Sequence, residues 1–225
     1  MNARRALDAL VALVALLVLT PLLLALGLLV VLTSPGPVLF CQERVGLHGR
    51  PFRIYKFRTM VRNAHLLAAH VSPAGDPRVT PLGRVLRACY LDELPQLLNV
   101  LRGDMALVGP RPETPEHVAL YTPAELRVLS VRPGLAGPST LGFMDEAERL
   151  AGVEDPAAHY RAVLLHERVR MDLGYLDQRS LRYDLRLLCR QVLAIMRRGG
   201  HAADGPTGAS VPPHRRVPVH REQTR

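Results

Sequence analysis

The chain has 225 residues, enough for one catalytic domain of ordinary size with a membrane segment and a tail, and too few for a second large domain. A formal charge of +9 and a pI near 10.3 favour anionic partners, whether nucleic acid, acidic lipid head groups or phosphorylated small molecules. The three cysteines, Cys41, Cys89 and Cys189, show neither CxxC spacing nor a neighbouring histidine cluster; this argues against a disulfide framework or a zinc site and fits a reducing compartment.

Arg4 and Arg5 precede an apolar stretch, Leu7 to Leu32, inside a 34-residue run without a charge from Ala9 to Gln42. A cleaved signal peptide would need a short apolar region followed by a small-x-small site, which is missing before the run resumes after Pro21. A single spanning helix would send a large basic remainder to the outer side, against the positive-inside tendency. The third reading starts from Thr20-Pro21, because proline removes a backbone donor and kinks a helix. The arms on either side would be about 21 Å and about 18 Å long, and neither crosses a core of about 30 Å. A hairpin entering and leaving the cytoplasmic leaflet is therefore expected over residues 1–36, with a kinked spanning helix as the alternative.

Val38-Leu39-Phe40 and Phe52-Arg53-Ile54-Tyr55 read as strands of a hairpin turned by Gly46 to Gly49. Turn and cap signals at 76–78 and 80–83 lead into a short basic helix, Arg84 to Tyr90. Asp92 then caps a further helix, with Pro95 in its first turn, Leu94, Leu97, Leu98 and Leu101 inward, and Gly103 at its end. Thr122 to Glu125 forms a capping box, and Asp155-Pro156 starts a longer helix through His166 and Arg170. Leu181 to Arg198 is a basic amphipathic helix that suits either a head-group region or a core with a solvated face. Residues 199–225 show no apolar period and are expected to be a disordered basic tail.

Adjacent carboxylates at a helix start, Asp92 and Glu93, can bind a divalent metal, act as a base or supply an oxygen nucleophile; they can also simply complement a helix dipole. Lys56, Arg58, Arg84, Arg87, Arg102 and Arg111 are interspersed with Gly and Pro turns, and guanidinium groups grip phosphate bidentately. Several such groups flanking one acidic pair suggest a diphosphate-metal site.

These segments resemble those of a known family. Lys56-Phe57-Arg58-Thr59-Met60, Leu91-Asp92-Glu93-Leu94-Pro95-Gln96 and Gly109-Pro110-Arg111-Pro112-Glu113 are similar to the signatures of the bacterial sugar transferases, the monotopic phosphoglycosyl transferases, in their small form. Residues 34–40 and 42–46 fit the same pattern, and the resemblance runs from residue 7 to about 198. It implies transfer of a sugar 1-phosphate from a UDP-sugar to polyprenyl phosphate with release of UMP, starting a lipid-linked glycan for capsule, exopolysaccharide, O-antigen or glycoprotein. By the same resemblance Asp92 is the nucleophile forming a covalent phosphosugar intermediate, Glu93 its partner carboxylate, and Mg²⁺ the ion held by Asp92 and Glu93. Arg87 and Arg111 are the first choices as phosphate clamps, followed by Lys56, Arg58 and Arg102.

Three positions depart from the family pattern. Thr20 precedes Pro21 where Ser is common, Cys89-Tyr90 precedes Leu91-Asp92 where a Ser is usual, and Ala136 replaces a Thr in Pro133-Gly134-Leu135-Ala136-Gly137. Asp172, Asp184 and Tyr175 also match family positions and are expected to be structural ion-pair residues. The fold expected is α+β: mainly helical, with a small β-hairpin or sheet, an N-terminal re-entrant helix-break-helix at Thr20-Pro21, a catalytic domain over 37–198 and interfacial amphipathic helices. The expected setting is the cytoplasmic face of a bacterial inner membrane, with UDP-sugar and polyprenyl phosphate as partners, no nucleic acid, and a homodimer allowed. Two alternatives stay open: a membrane-attached polyanion binder without catalysis, which the lack of Trp and the few Phe and Tyr disfavour, and a glycosyltransferase that releases UDP.

Overall fold

The computed structural model of the chain describes residues 3–64 and 71–203. Helix α1 (Ala3–Thr33) takes the whole N-terminal apolar run. Helical conformation continues through Thr20 and Pro21, so the expected helix-break-helix is one α-helix with a proline in its middle. Pro21 withdraws a single donor, and the Thr20 hydroxyl turns back onto the Leu16 carbonyl at 2.7 Å, a bond that bends helices without ending them. Among the described residues α1 is the one helix long and apolar enough to cross a membrane. Its side chains Leu17, Val18, Leu24 and Leu32 are exposed.

The inward stripe of α1 meets two separate cores. Ala12 packs in the larger one, with Ile54, Leu97, Val100, Met105 and Leu187, while Leu26 and Val30 pack with Phe57 and Leu86. Polar groups fix the two ends. Arg5 donates to the Val100 and Leu101 carbonyls at 2.8 and 2.7 Å, and Arg4 pairs with Asp184. At the other end Arg58 donates to the Ser34 and Pro35 carbonyls, both at 2.5 Å. A helix about 46 Å long at 1.5 Å per residue thus has both ends bound to the same folded unit.

Strands β1 (Leu39–Val45) and β2 (Pro51–Phe57) form the expected antiparallel hairpin, with Leu39 opposite Phe57 and Val45 opposite Pro51. The turn between them places His48 and Gly49 at positive φ. Helix α2 (Pro81–Ala88) starts three residues before the expected Arg84, because the Thr80 hydroxyl accepts from Gly83 N–H and Pro81 occupies the first turn. Tyr90 then reverses the chain at φ 55, and Leu91–Gln96 forms a 3₁₀ turn leading into α3 (Leu97–Arg102), which Gly103 ends at φ 96. Asp92 therefore lies inside the 3₁₀ turn and does not cap an α-helix: Tyr90 has already set the chain direction, and Pro95 has no N–H to continue an α-helical ladder.

A second sheet was not foreseen. Strands β3 (Ala106–Val108) and β4 (Gly134–Ala136) pair in parallel. The shorter helices α4 (Pro115–Val118), α5 (Pro138–Gly142), α6 (Glu146–Arg149) and α7 (Pro156–His159) follow the sheet's connections. A π-turn over Tyr160–Leu164 joins α7 to α8 (Leu165–Gln178), so the long helix expected from Asp155-Pro156 forms in three pieces. The Thr122 box closes as expected, with Thr122 N–H donating to Glu125 at 2.8 Å and Glu125 N–H to Thr122 at 3.3 Å. Helix α9 (Leu181–Ala203) buries Leu187 and leaves Leu185, Val192, Leu193 and Met196 exposed. It runs through the first five residues of the expected tail, and 204–225 lie outside the described residues.

Candidate active site

The hairpin and the 3₁₀ turn are locked together by one side chain. Asn99, fully buried on α3, accepts from Tyr55 N–H at 3.1 Å and donates to the Arg53 carbonyl at 2.7 Å. This pins the segment carrying Asp92 and Glu93 against the strand carrying Lys56. All three line a cavity of about 610 Å³, together with Arg87 from α2 and Arg111 from the turn after β3.

Within that cavity the two carboxylates have different environments. Glu93, 7% exposed, accepts from Lys56 Nζ at 2.6 Å and Arg111 Nη2 at 3.3 Å, both at Oε1. Burial alone would raise its pKa, but the two cations outweigh it and hold Glu93 well below the usual carboxylate range. Asp92, 8% exposed, has no hydrogen-bond or ion-pair partner among the described residues. Burial and the neighbouring Glu93 charge push it up to about 6, against the pull of Lys56, Arg87 and Arg111. The result is a carboxyl with a raised pKa that lines an open cavity among cations and accepts no hydrogen bond from any described residue.

The cations are placed by structure that sequence spacing alone does not reveal. Arg87 Nε donates to Thr59 Oγ1 and Nη1 to Ser72 Oγ, both at 2.9 Å, and its burial lowers its pKa despite the Asp92 and Asp76 charges. Arg111 is aimed by its backbone, whose N–H donates to Asp172 Oδ2 at 3.0 Å, while Asp172 also accepts from the Ser139 hydroxyl at 2.7 Å and the Ser139 N–H at 3.2 Å. The turn is tight because β3 and β4 meet backbone to backbone: a Cβ on Gly134 would come within 2.0 Å of Gly109 N.

Not every candidate joins this group. Arg58 borders the cavity, but its guanidinium is taken up by the Ser34 and Pro35 carbonyls, so it ties the hairpin to the end of α1 and is not available as a phosphate clamp. Arg102 hydrogen-bonds Tyr55 Oη and stacks 5.1 Å over its ring, away from the cavity. Tyr55 and Lys56 are neighbours in β2 and point to opposite faces, so a group resting on Tyr55 is on the far side of the hairpin. Arg84 is exposed on α2. Asp184 pairs with Arg4 and accepts from Tyr175 Oη at 2.7 Å, as an ion-pair residue should; Asp172 is in no ion pair among the described residues and instead receives the Arg111 and Ser139 bonds.

One buried network went unassigned in the sequence. Glu113, already noted as the last residue of the Gly109-Pro110-Arg111-Pro112-Glu113 segment, accepts from Tyr160 Oη at 2.8 Å and lies 3.0 Å from His117 Nδ1, with Arg44 and Arg168 at 3.6 and 3.7 Å. Burial raises its pKa, but His117, Arg44 and Arg168 bring it down to about 2. The Glu113-His117 spacing of i, i+4 was the signal available.

A cavity that gathers cations around an unpaired aspartate agrees with the comparison to known proteins, where the bacterial sugar transferase family matches residues 1–198. The chain belongs to that family. A UDP-glucose:undecaprenyl-phosphate glucose-1-phosphate transferase of Caulobacter vibrioides is 40% identical over 196 residues, 86% of this chain and 69% of the relative. A UDP-N-acetylgalactosamine-undecaprenyl-phosphate N-acetylgalactosaminephosphotransferase of Aeromonas hydrophila is 47% identical over 137 residues, 60% of this chain. An Escherichia coli K12 UDP-glucose:undecaprenyl-phosphate glucose-1-phosphate transferase is 36% identical over 189 residues, 82% of this chain. The matched part is 32% of the Aeromonas relative's length and 38% of the E. coli relative's. In this sugar transferase no cluster of three or more His, Cys, Asp or Glu suited to a metal occurs among the described residues. Any divalent ion would thus rest on one or two carboxylates plus groups brought by a substrate, which is the usual manner of Mg²⁺.

Proposed function

We propose that this protein transfers a sugar 1-phosphate from a UDP-sugar to a polyprenyl phosphate, releasing UMP, through a covalent intermediate on Asp92. The observation that carries this reading is the buried Asp92 carboxylate, unpartnered, in a cavity shared with Lys56, Arg87 and Arg111. A carboxylate oxygen attacks the phosphorus that bears the sugar, the bond from that phosphorus to the bridging oxygen breaks, and UMP leaves with the electron pair. A phosphate oxygen of the lipid then attacks the same phosphorus, the acyl-phosphate bond breaks, and the Asp92 carboxylate is restored. Both nucleophiles are anions, so neither step requires a base. Arg87 and Arg111 hold the diphosphate and offset its charge, while Lys56 and Arg111 keep Glu93 ionised beside it. Asp92 and Glu93 fit Mg²⁺ bound jointly with diphosphate oxygens, and the ion would neutralise charge moving to the leaving group.

The lipid acceptor places this chemistry at a bilayer, and we assign the catalytic unit to the cytoplasmic face of a bacterial inner membrane. Support comes from α1: apolar along its exposed side, yet tied at Arg4 and Arg5 and again near Ser34 to the same domain, it suits a helix whose two ends stay on one side of the bilayer. The test is nucleotide release by the detergent-purified protein with Mg²⁺, polyprenyl phosphate and a panel of UDP-sugars. UMP from the wild type and none from Asp92→Asn is expected. UDP as the product would replace the reading with plain glycosyl transfer, and no product with any donor would overturn it.

A further inference from the structure

The cavity has a second wall that phosphoryl transfer leaves unused. Glu113 follows Arg111 by two residues, so its Cα lies within about 7 Å of the phosphate-clamping arginine's. Its carboxyl, held near pKa 2, stays ionised and can only accept hydrogen bonds. His117 Nδ1, 3.0 Å from Glu113 Oε2, therefore carries a proton toward that carboxylate, which leaves Nε2 as the ring atom open to a further hydrogen bond. His117 lines the cavity, and no hydrogen-bond partner exists for Nε2 among the described residues. A second waiting group is Thr140 on α5, 2% exposed and lining the same cavity, whose hydroxyl has no partner among the described residues.

The charges on this wall balance: Glu113 and Glu146 stand against Arg44 and Arg168, with Arg168 contacting both carboxylates. That composition does not attract a phosphate. The aromatic rings here are also already faced by protein groups: His117 packs 4.9 Å from Tyr160, and Arg149 and Arg168 cover Phe143 at 4.7 and 5.0 Å. A flat base would find little open ring to stack on. An uncharged group rich in hydroxyls, one step from a phosphate, is what this wall fits.

We propose that this wall is the sugar subsite of the donor and that His117, braced by Glu113, is a specificity-determining residue whose Nε2 hydrogen-bonds a sugar hydroxyl. The assignment rests on the reading of the cavity as a UDP-sugar site. Since neither transfer step needs a base, the dyad acts in recognition and not in proton transfer.

The test uses the full chain in detergent with Mg²⁺ and an Asp92→Asn background, so that donor is bound and not consumed, and measures Kd for UDP-glucose, UDP-N-acetylgalactosamine and UMP. His117→Phe is expected to weaken the preferred UDP-sugar at least about tenfold, corresponding to about 1.4 kcal/mol, and to leave UMP within about twofold. His117→Gln, which keeps a hydrogen-bonding group near Nε2, should recover most of the loss. In proteins that retain Asp92, the ratio of UMP release rates from the two donors should shift with His117→Phe. Equal weakening of UMP would place His117 at the nucleoside and overturn the proposal, as would unchanged sugar affinity and selectivity. A wild-type protein that releases UMP from neither UDP-sugar would overturn the donor assignment itself, a failure distinct from a loss confined to the His117 comparison.

Discussion

Asp92 and Glu113 are buried to a similar depth in one cavity, yet they have opposite characters. Glu113 has four polar neighbours and is held near pKa 2; Asp92 has none within bonding distance among the described residues and rises to about 6. Burial is common to both, so partners decide the outcome. A saturated carboxylate stiffens a wall, whereas an unsaturated one keeps its lone pairs for a reactant. Glu93 lies between these cases: it is ionised by Lys56 and Arg111 and so keeps a negative charge next to Asp92.

The comparison can be broken in several ways. Asp92→Asn should lower UMP formation by at least about 10³-fold, since the proposed nucleophile is removed. The same variant should melt higher than wild type above pH 6, by on the order of 1 kcal/mol, because a buried charge without a partner is gone. The sign follows from a folded pKa raised above the unfolded one: ionised Asp92 costs stability, and the gain should vanish at low pH, where both states are protonated. Glu113→Ala should do the reverse, destabilising by about 3–5 kcal/mol by stranding Arg44 and Arg168, a loss readable in urea unfolding. Arg87→Ala and Arg111→Ala are expected to cost about 10²-fold in turnover, with a smaller effect on melting.

Milder changes sharpen the same contrast. The rate should fall about tenfold per unit as pH drops below about 6, following protonation of Asp92, while Glu113, with its depressed pKa, stays ionised over that range. A flat profile down to pH 4 would remove Asp92 as the titrating group. Arg102→Ala, which touches Tyr55 on the far face of the hairpin, should leave turnover within about twofold and shift stability by less than about 1 kcal/mol.

Much of this was legible in the residues. The hairpin followed from its strand-like runs and glycine turn, and the end of α3 from Gly103, while the cap signal at Thr80-Pro81 was read as a turn before a helix starting at Arg84. What escaped were choices between residues of one chemical type. Lys56 and Arg58 are two apart and would share a face of an extended strand, but β2 ends at Phe57, and beyond it Arg58 turns to the end of α1. The pairing of β3 with β4 joins two three-residue strands far apart in the chain, too short to show a period. The conformation at Asp92 depended on Tyr90 adopting φ 55, which a tyrosine seldom signals in advance.

The anchoring of α1 at both ends also changes what the segment is. Ala12, Leu26 and Val30 are interior residues of the catalytic unit, and Arg5 satisfies carbonyls at the end of α3. Deleting residues 3–33 would therefore not liberate a water-soluble enzyme: it would open two hydrophobic seams and uncap the helix beneath Asp92. The apolar segment is part of the fold itself and cannot be traded for a generic tether.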